Sequence, residues 1–448
     1  MKIYQNSQEL RDALVETMDF FPDNTLKIIN PKNLRTEITD NLIYTYVFSD
    51  NINLKKKIGW TIREIAISIG AIPSSIQKLY EAAAKGIYNQ KTVPAINIRG
   101  ITYEVARVIF RAAIKDNVGA FIFEIARSEM RYTEQNPEEY STAILAAAIR
   151  EGYRGPVFIQ GDHFQVSSKK YAANPQTELS DLKDIIKKAI DAGFYNIDID
   201  ASTLVDLHKQ NVEEQQANNA KITAELTEYI RQLQPPNLNI SIGGEIGEVG
   251  KQNSTPEELG AFMKQYRSFL KPNVKGISKI SVQTGTTHGG VVMPDGSIAE
   301  VQLDFETLKT LSDIARKEFG MAGAVQHGAS TLPDSAFDKF PQTATAEVHL
   351  ATGFQNMIYE NPHFPKDLLI EIDNYLLAKH SDEMKPNQTK EQFLYKTRKK
   401  AFGPFKKKMW DIPQNKLSMI EKALEDKFSF LFKKLNVINT SELVQKII

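Results

Sequence analysis

Three successive stretches decide the fold: PVFIQGD at 156–162, SDLKDIIKKAIDAG at 180–193 and YNIDID at 195–200. The outer two are short apolar, β-branched runs, and the middle one repeats its apolar residues at helical spacing and stops at a glycine. A strand, a helix and a second strand in that order imply parallel pairing through a right-handed crossover. The same rhythm extends both ways. Upstream lie VPAIN at 93–97 and VGAFIFEIA at 118–126; downstream lie LNISIGGE at 238–245, ISKISVQTG at 277–285, GAVQHG at 323–328 and AEVHLAT at 346–352. YEVARVIFRAAIKD and STAILAAAIREG read as helices between them. Eight strand-plus-helix units predict an α/β chain folded as a (β/α)8 TIM barrel, with an open doubly wound sheet as the alternative.

The barrel occupies residues 75–360 in this reading. Residues 1–74 are expected to be a helical and irregular N-terminal extension without a chemical motif, and 361–448 a helical C-terminal one. Such barrels commonly need about 250 residues, so 448 leaves room for both. In the C-terminal extension, Arg398, Lys399, Lys400, Lys406, Lys407 and Lys408 gather around a Gly-Pro turn. A solvated basic face is the ordinary reading of such a run, with anion binding or subunit contact as the other.

Composition narrows the chemistry. Apolar residues make up 42% and charged residues 25%, ordinary values for a globular enzyme. Lys+Arg and Asp+Glu number 55 each, so no basic excess points to a nucleic-acid partner. The absence of cysteine excludes disulfides, thiolate metal sites and thiol nucleophiles, leaving His and carboxylates for any transition metal. No apolar run is long enough for a membrane span, and MKIYQNSQELRDALVE carries no signal-type apolar core, so a cytoplasmic location is expected.

The chain has seven histidines, and four of them, His163, His288, His327 and His349, fall at or just past strand C-termini, the active-site face of a parallel barrel. Any one alone is more often a packed or solvated residue. Together, and with acidic or glycine neighbours in DH, HGG and HGAS, they suggest imidazoles converging on one divalent cation with an open position. Zinc is expected, although iron, cobalt and nickel also suit imidazole, and a second metal or a monovalent cation stays open. Asp162, Asp200 and Glu245 end strands on the same face. Asp162 reads as a general acid/base, or else as a partner that orients a ligand imidazole. Asp198 alternates with Asp200, so one of the two is expected to point into the barrel core or toward the helices. The segments GTTHGG, HGAST and Thr352-Gly353 offer amides and hydroxyls to a phosphate.

These segments, from about Ala84 to Gln355, resemble the class II, metal-dependent fructose-bisphosphate and tagatose-bisphosphate aldolases. AAAKGIYNQKTVPAINIRG, GPVFIQGDHFQV, GFYNIDIDAS, GGEIGEVG, QTGTTHGG and VQHGAST match the family's motifs in order and placement. The resemblance implies that Asp162 is the catalytic acid/base and that His163, His288 and His327 are the metal ligands. It also implies that Glu245 is an alternative or second-site ligand and that Asp200 lies beside the metal cavity. Substrate and phosphate contacts would fall to Asn97, Gly289, Gly328, Ser330, His349 and Thr352.

The resemblance further implies reversible cleavage of a ketose bisphosphate, fructose 1,6-bisphosphate favoured, to dihydroxyacetone phosphate and an aldehyde through a metal-stabilised enediolate. A homo-oligomer is expected. Taking the triose proton would fall to an acidic residue on a mobile loop, and the region after the fourth strand, with Glu213 and Glu214 in NVEEQQ, is one candidate. A lysine Schiff base is the competing route, but no lysine ends a candidate strand. Two departures stand out: His349 occupies a position where the family places asparagine, and HGAST lacks the usual second glycine. They keep open an aldolase for another phosphorylated or sulfonated ketose. The chain's length also matches the non-catalytic barrel subunit of the tagatose-bisphosphate system, which lacks the full histidine set.

Overall fold

The computed structural model describes residues 1–20, 26–247, 252–285, 293 and 303–448. His288 and Gly289 lie outside them. Strands β1 (Met18–Phe20) and β2 (Leu26–Ile28) form a small antiparallel ribbon, followed by β3 (Ala71–Ser74). The barrel strands are β4 (Val93–Asn97), β5 (Ile122–Ala126), β6 (Gly155–Gln165) and β7 (Asn196–Asp200). They continue with β8 (Ser241–Glu245), β9 (Lys279–Val282), β10 (Ala324–Gln326) and β11 (Glu347–Leu350). All eight pair in parallel with their sequence neighbours, and β11 pairs with β4 to close the cylinder. The closed barrel, rather than an open sheet, is the fold, and all eight expected strands are present.

Helices take their ends from the sequence. Pro137–Glu151 starts with the Asn136 side chain accepting from the Glu139 amide and stops at Gly152, whose φ of 70° an L side chain rarely adopts. The helix Pro175–Asp191 is capped by Asn174 and halts before Gly193.

The N-terminal segment departs from a purely helical expectation. Besides the β1–β2 ribbon, it contributes β3, which pairs in parallel with β6 from Ala71 opposite Gly155 to Ser74 opposite Phe158. The cause lies in unequal strand lengths. β6 runs for 11 residues, but β7 first pairs with it at Gln160, so the lower edge of β6 needs another hydrogen-bonding partner. AIPS is too short to announce this by periodicity.

One apolar cluster runs continuously from Tyr4 and Leu42 through the barrel helices to Leu424 and Phe428. A second, with Leu79, Tyr80, Val93, Ile122, Phe158 and Val444, seals the N-terminal end of the barrel. The opposite end is left open. Among the described residues no helix is long and apolar enough to cross a membrane.

Candidate active site at the barrel mouth

Asp162 and His163 are adjacent in the chain, so in a regular strand their side chains would face opposite sides. A β-bulge prevents that. Gly161 pairs with Ile197 and Phe164 with Ile199, so β6 advances three residues while β7 advances two. His163 takes up the extra residue at a φ of 39°, in the left-handed region. Phe164 then turns back over Gly161, where an added Cβ would meet its ring at 2.5 Å. Asp162 and His163 thereby line the same cleft.

Around them the expected residues converge. The Nδ1 atom of His163 lies 3.3 Å from Oδ2 of Asp200 and 3.2 Å from Oε2 of Glu245. Its Nε2 is 3.9 Å from Oδ1 of Asp162, which is also 3.9 Å from Nε2 of His327. The His163 and His327 ring centres are 4.2 Å apart. Two overlapping donor sets result, Asp162–His163–His327 and His163–Asp200–Glu245, each with its atoms within 4.8 Å of one another. Two imidazoles among carboxylates make a donor set that fits zinc or a similar divalent ion. Electrostatics agree. Burial opposes charge on His163, yet Asp162, Glu245 and Asp200 hold its pKa well above the usual range, a field that also attracts a cation. Burial likewise works against the Asp200 carboxylate, but hydrogen bonds from His163, Ser202 and Gln165 hold its pKa down.

Beneath this set lies a polar layer that the strand patterns only hinted at. His349 is buried, with Nδ1 at 3.0 Å from Glu124 and 3.2 Å from Asp162, and Nε2 at 2.6 Å from Glu347. Its ring stands 4.1 Å from that of His327. Lys279, at the start of β9, donates to Gln160 at 2.9 Å, to Asp198 at 2.9 Å and to Glu347 at 2.5 Å, while the Tyr80 hydroxyl donates to Glu347. Asp198 therefore points into the barrel. Gly243 makes the space, since a Cβ there would sit 2.3 Å from the Asp198 carboxylate and 2.9 Å from the lysine stem. Burial and repulsion from Asp162 push Glu124 up to about 8. Burial also raises Asp198, to about 6, against the pull of Lys279. Lys279 loses to burial but gains more from Asp198 and Glu347, so it stays an ammonium. An amine so held is a poor Schiff-base nucleophile. Glu124, Gln160, Lys279 and Glu347 were not singled out in the sequence. Charged residues alternating with apolar ones in FIFEIA, ISKISV and AEVHL are the signal that could have found them.

The cleft encloses about 1310 Å³ and is lined also by Asn97, Gly328, Ser330 and Thr352. Asn97 donates to Glu129 at 2.6 Å, and Glu129 takes Nε of Arg99 at 2.7 Å. The Oδ1 of Asn97 is buried with no protein partner among the described residues. Thr352 starts the helix Thr352–Tyr359, and its hydroxyl accepts from Arg99 at 3.3 Å. Gly328 has a φ of 68°, and the Ser330 hydroxyl accepts from the Gly353 amide at 3.0 Å. Glu213 and Glu214 stand elsewhere. Both are exposed in the first turn of the helix Val212–Leu233, Glu213 pairs with Lys264 at 2.6 Å, and neither lines the cleft. Asn211 caps that helix, its side chain accepting from the Glu214 amide at 2.8 Å. The strand-six motif's His288 and Gly289 are outside the described residues.

Solved structures share this architecture. A glycerol complex of the fructuronate-tagaturonate epimerase UxaE from Cohnella laeviribosi is 12% identical, with a TM-score of 0.60 over 94% of this chain and 90% of that one. A protein described as a probable tagatose 6 phosphate kinase from Sinorhizobium meliloti is 14% identical, with a TM-score of 0.53 over 80% and 93%. The fructose-bisphosphate aldolase of Campylobacter jejuni is 16% identical, with a TM-score of 0.49 over 83% and 96%. At these identities the first two likenesses show the barrel fold alone. No curated protein sequence matches the chain. A family model does: "Fructose-bisphosphate aldolase class-II" matches residues 74–423, from β3 through the barrel into the C-terminal segment. The chain belongs to the class II fructose-bisphosphate aldolase family.

Proposed function

We propose that this protein is a metal-dependent aldolase that reversibly cleaves a ketose bisphosphate, fructose 1,6-bisphosphate favoured, to dihydroxyacetone phosphate and an aldehyde. The observation that carries the reading is the bulge that turns both Asp162 and His163 into a cleft shared with His327. His163 and His327, with Glu245 and Asp200 beside them, would hold the divalent cation, and His288 joins them by family resemblance. When bound, such a cation supplies Lewis acidity to polarise a ketose carbonyl.

The chain's own groups do the rest. Asp162 takes the proton of the C4 hydroxyl on cleavage and returns it to the aldehyde oxygen on condensation. His349 orients that carboxylate from 3.2 Å. Glu129 fixes Asn97 and Arg99, so their remaining polar atoms face the substrate without rearrangement. Gly328, Ser330 and the start of the Thr352 helix supply amides and hydroxyls for a phosphate.

Elemental analysis of purified protein followed by a coupled assay for triose phosphate tests this. Stoichiometric metal, turnover that a chelator abolishes, and no adduct on borohydride trapping are expected. A trapped lysine adduct would overturn it.

A second reading keeps this chemistry and changes the substrate. Rejoining the two fragments on the other face of the aldehyde would invert a hydroxyl-bearing carbon, an epimerisation. Two observations support it: His349 in place of the family's asparagine, and the fold likeness to a keto-acid epimerase over 94% of the chain. Interconversion of ketohexuronates without net triose release is its signature.

A further inference from the structure

A second pocket opens at the end of the barrel opposite the mouth. Its walls are the turn Asn33–Arg35, the end of the helix Ile52–Ile69, the end of the helix Pro137–Glu151 and the residues leading into β6. From Gly155 to Asp162 that strand covers roughly 20 Å, so the pocket stands well away from the reacting groups. Its N-terminal wall precedes residue 74, where the family match begins. The pocket encloses about 250 Å³, just under the size of ordinary small-molecule sites, which start near about 300 Å³.

The lining divides by chemistry. Leu34 and Ile149 are buried and Ile69 is half-buried, and they give the pocket an apolar side. Lys32, Arg35 and Arg154 give it a cationic one. Among the described residues no carboxylate pairs with any of the three. Acids on the same elements are already engaged. Asp40 takes Arg150 at 2.9 Å, and Glu151 takes Arg107 at 2.7 Å and Arg111 at 3.3 Å. Exposed cations are usually just solvated. These three share one concavity with an apolar wall, and its frame is fixed. Gly152 has a φ of 70°, and a Cβ there would lie 2.9 Å from the guanidinium carbon of Arg35. The glycine that ends the helix therefore also admits the arginine. The Arg35 carbonyl accepts from Arg150. The Gly155 amide donates to the Gly70 carbonyl at 2.7 Å, which ties together the two helix ends flanking the pocket.

We propose that this pocket binds a phosphate monoester with an aromatic or apolar body, the chemistry of a nucleoside monophosphate, at a site separate from the catalytic mouth. Two guanidiniums and an ammonium match a dianionic phosphate, which arginine grips through paired N–H donors. Leu34, Ile69 and Ile149 favour a base-like body over a bare sugar, whose hydroxyls would lose water there without gaining partners. The site stands whichever ketose the mouth cleaves, because it shares no residue with the cleft.

Calorimetric titration of the full-length protein tests this, with adenosine 5′-monophosphate, adenosine, ribose 5-phosphate and inorganic phosphate as ligands. The variants are Arg35→Met, Arg154→Met, Arg154→Lys and Lys27→Met, the last removing a charge of the N-terminal segment outside the pocket. All three positions are exposed, so the fold is expected to survive each change. The monophosphate should bind wild type at one site per chain and more tightly than the other three ligands. Arg35→Met and Arg154→Met should each weaken it by about 10- to 100-fold. Arg154→Lys should weaken it less, and Lys27→Met should match wild type. Absence of binding, or binding that survives in both methionine variants, overturns the site. Equal affinity for ribose 5-phosphate overturns the apolar half of the assignment, and equal affinity for adenosine overturns the phosphate half.

Discussion

Asp162 has neighbours on three sides: His163 in the chain, His327 across the mouth, and His349 from below. A carboxylate placed to pass a proton to and from a substrate hydroxyl contributes about 10²- to 10⁴-fold. Asp162→Asn keeps the shape and removes the base, so kcat should fall by about that factor while metal content stays near wild type. Metal analysis alongside steady-state kinetics checks both halves. His349 makes a sharper distinction. Its ring nitrogens lie within 4 Å of four carboxylates, those of Glu124, Asp162, Asp198 and Glu347, so His349→Asn should shift the order of preference among ketose phosphates and hexuronates. An unchanged order in a substrate panel would show that this position does not select the substrate. That Asp162, His163, Asp200, Glu245 and His327 gather at one mouth was legible because each lies at or near a strand end. The roles of Glu124 and Glu347 were not, because a glutamate inside a strand reads the same whether it faces solvent or the barrel axis.

At the scale of elements, β6 carries the most information. Its extra residue aims two reactive side chains at one place, and strained backbone of this kind concentrates at functional sites. Gly161→Val puts a branched side chain where the Phe164 ring lies, at a Cβ distance of 2.5 Å. We expect a loss of about 1–3 kcal/mol in stability, typical of overpacking, and a fall in turnover larger than that loss explains. Denaturant titration and kinetics on the same preparation separate the two effects. The bulge itself was illegible in the sequence, since one inserted residue between Gly161 and Phe164 leaves no period of its own. So was β3, because a four-residue pairing carries too little pattern.

For the molecule as a whole, the barrel interior is the unusual feature. Such interiors are generally filled by layers of branched apolar side chains. Here Lys279, Asp198, Glu347, His349 and Glu124 form a buried layer of ionisable side chains. Removing one member of a buried pair costs about 3–5 kcal/mol, so Lys279→Met should destabilise the fold by that order in urea titration. The pH response has two limbs. Burial disfavours the Glu347 carboxylate, but Lys279 and His349 bring it down to about 2 from 4.5. A depressed folded value gives stability that is present above about 4.5 and lost as pH falls toward about 2. His349 has the opposite sign. Burial disfavours its charge, yet Glu124 and Asp162 hold its pKa well above 6.5, so its stabilisation is full below 6.5 and lost as pH rises through the folded value. Unfolding free energies across pH should show both limbs, with Glu347→Gln flattening the acid one.

By itself the sequence determined the alternation of eight strands with helices and the strand ends at which chemistry gathers, while closure of the barrel rests on the β11–β4 pairing. Period-2 and period-3.6 patterns are local, and strand order follows from their alternation. Only the tertiary structure decided that two neighbouring residues on β6 face one way, that Glu213 and Glu214 stand apart from the cleft, and that Lys32 and Arg35 meet Arg154 around one pocket. Each of these depends on distance in space between residues remote in sequence, or on one inserted residue shifting a register, and neither leaves a periodic trace along the chain.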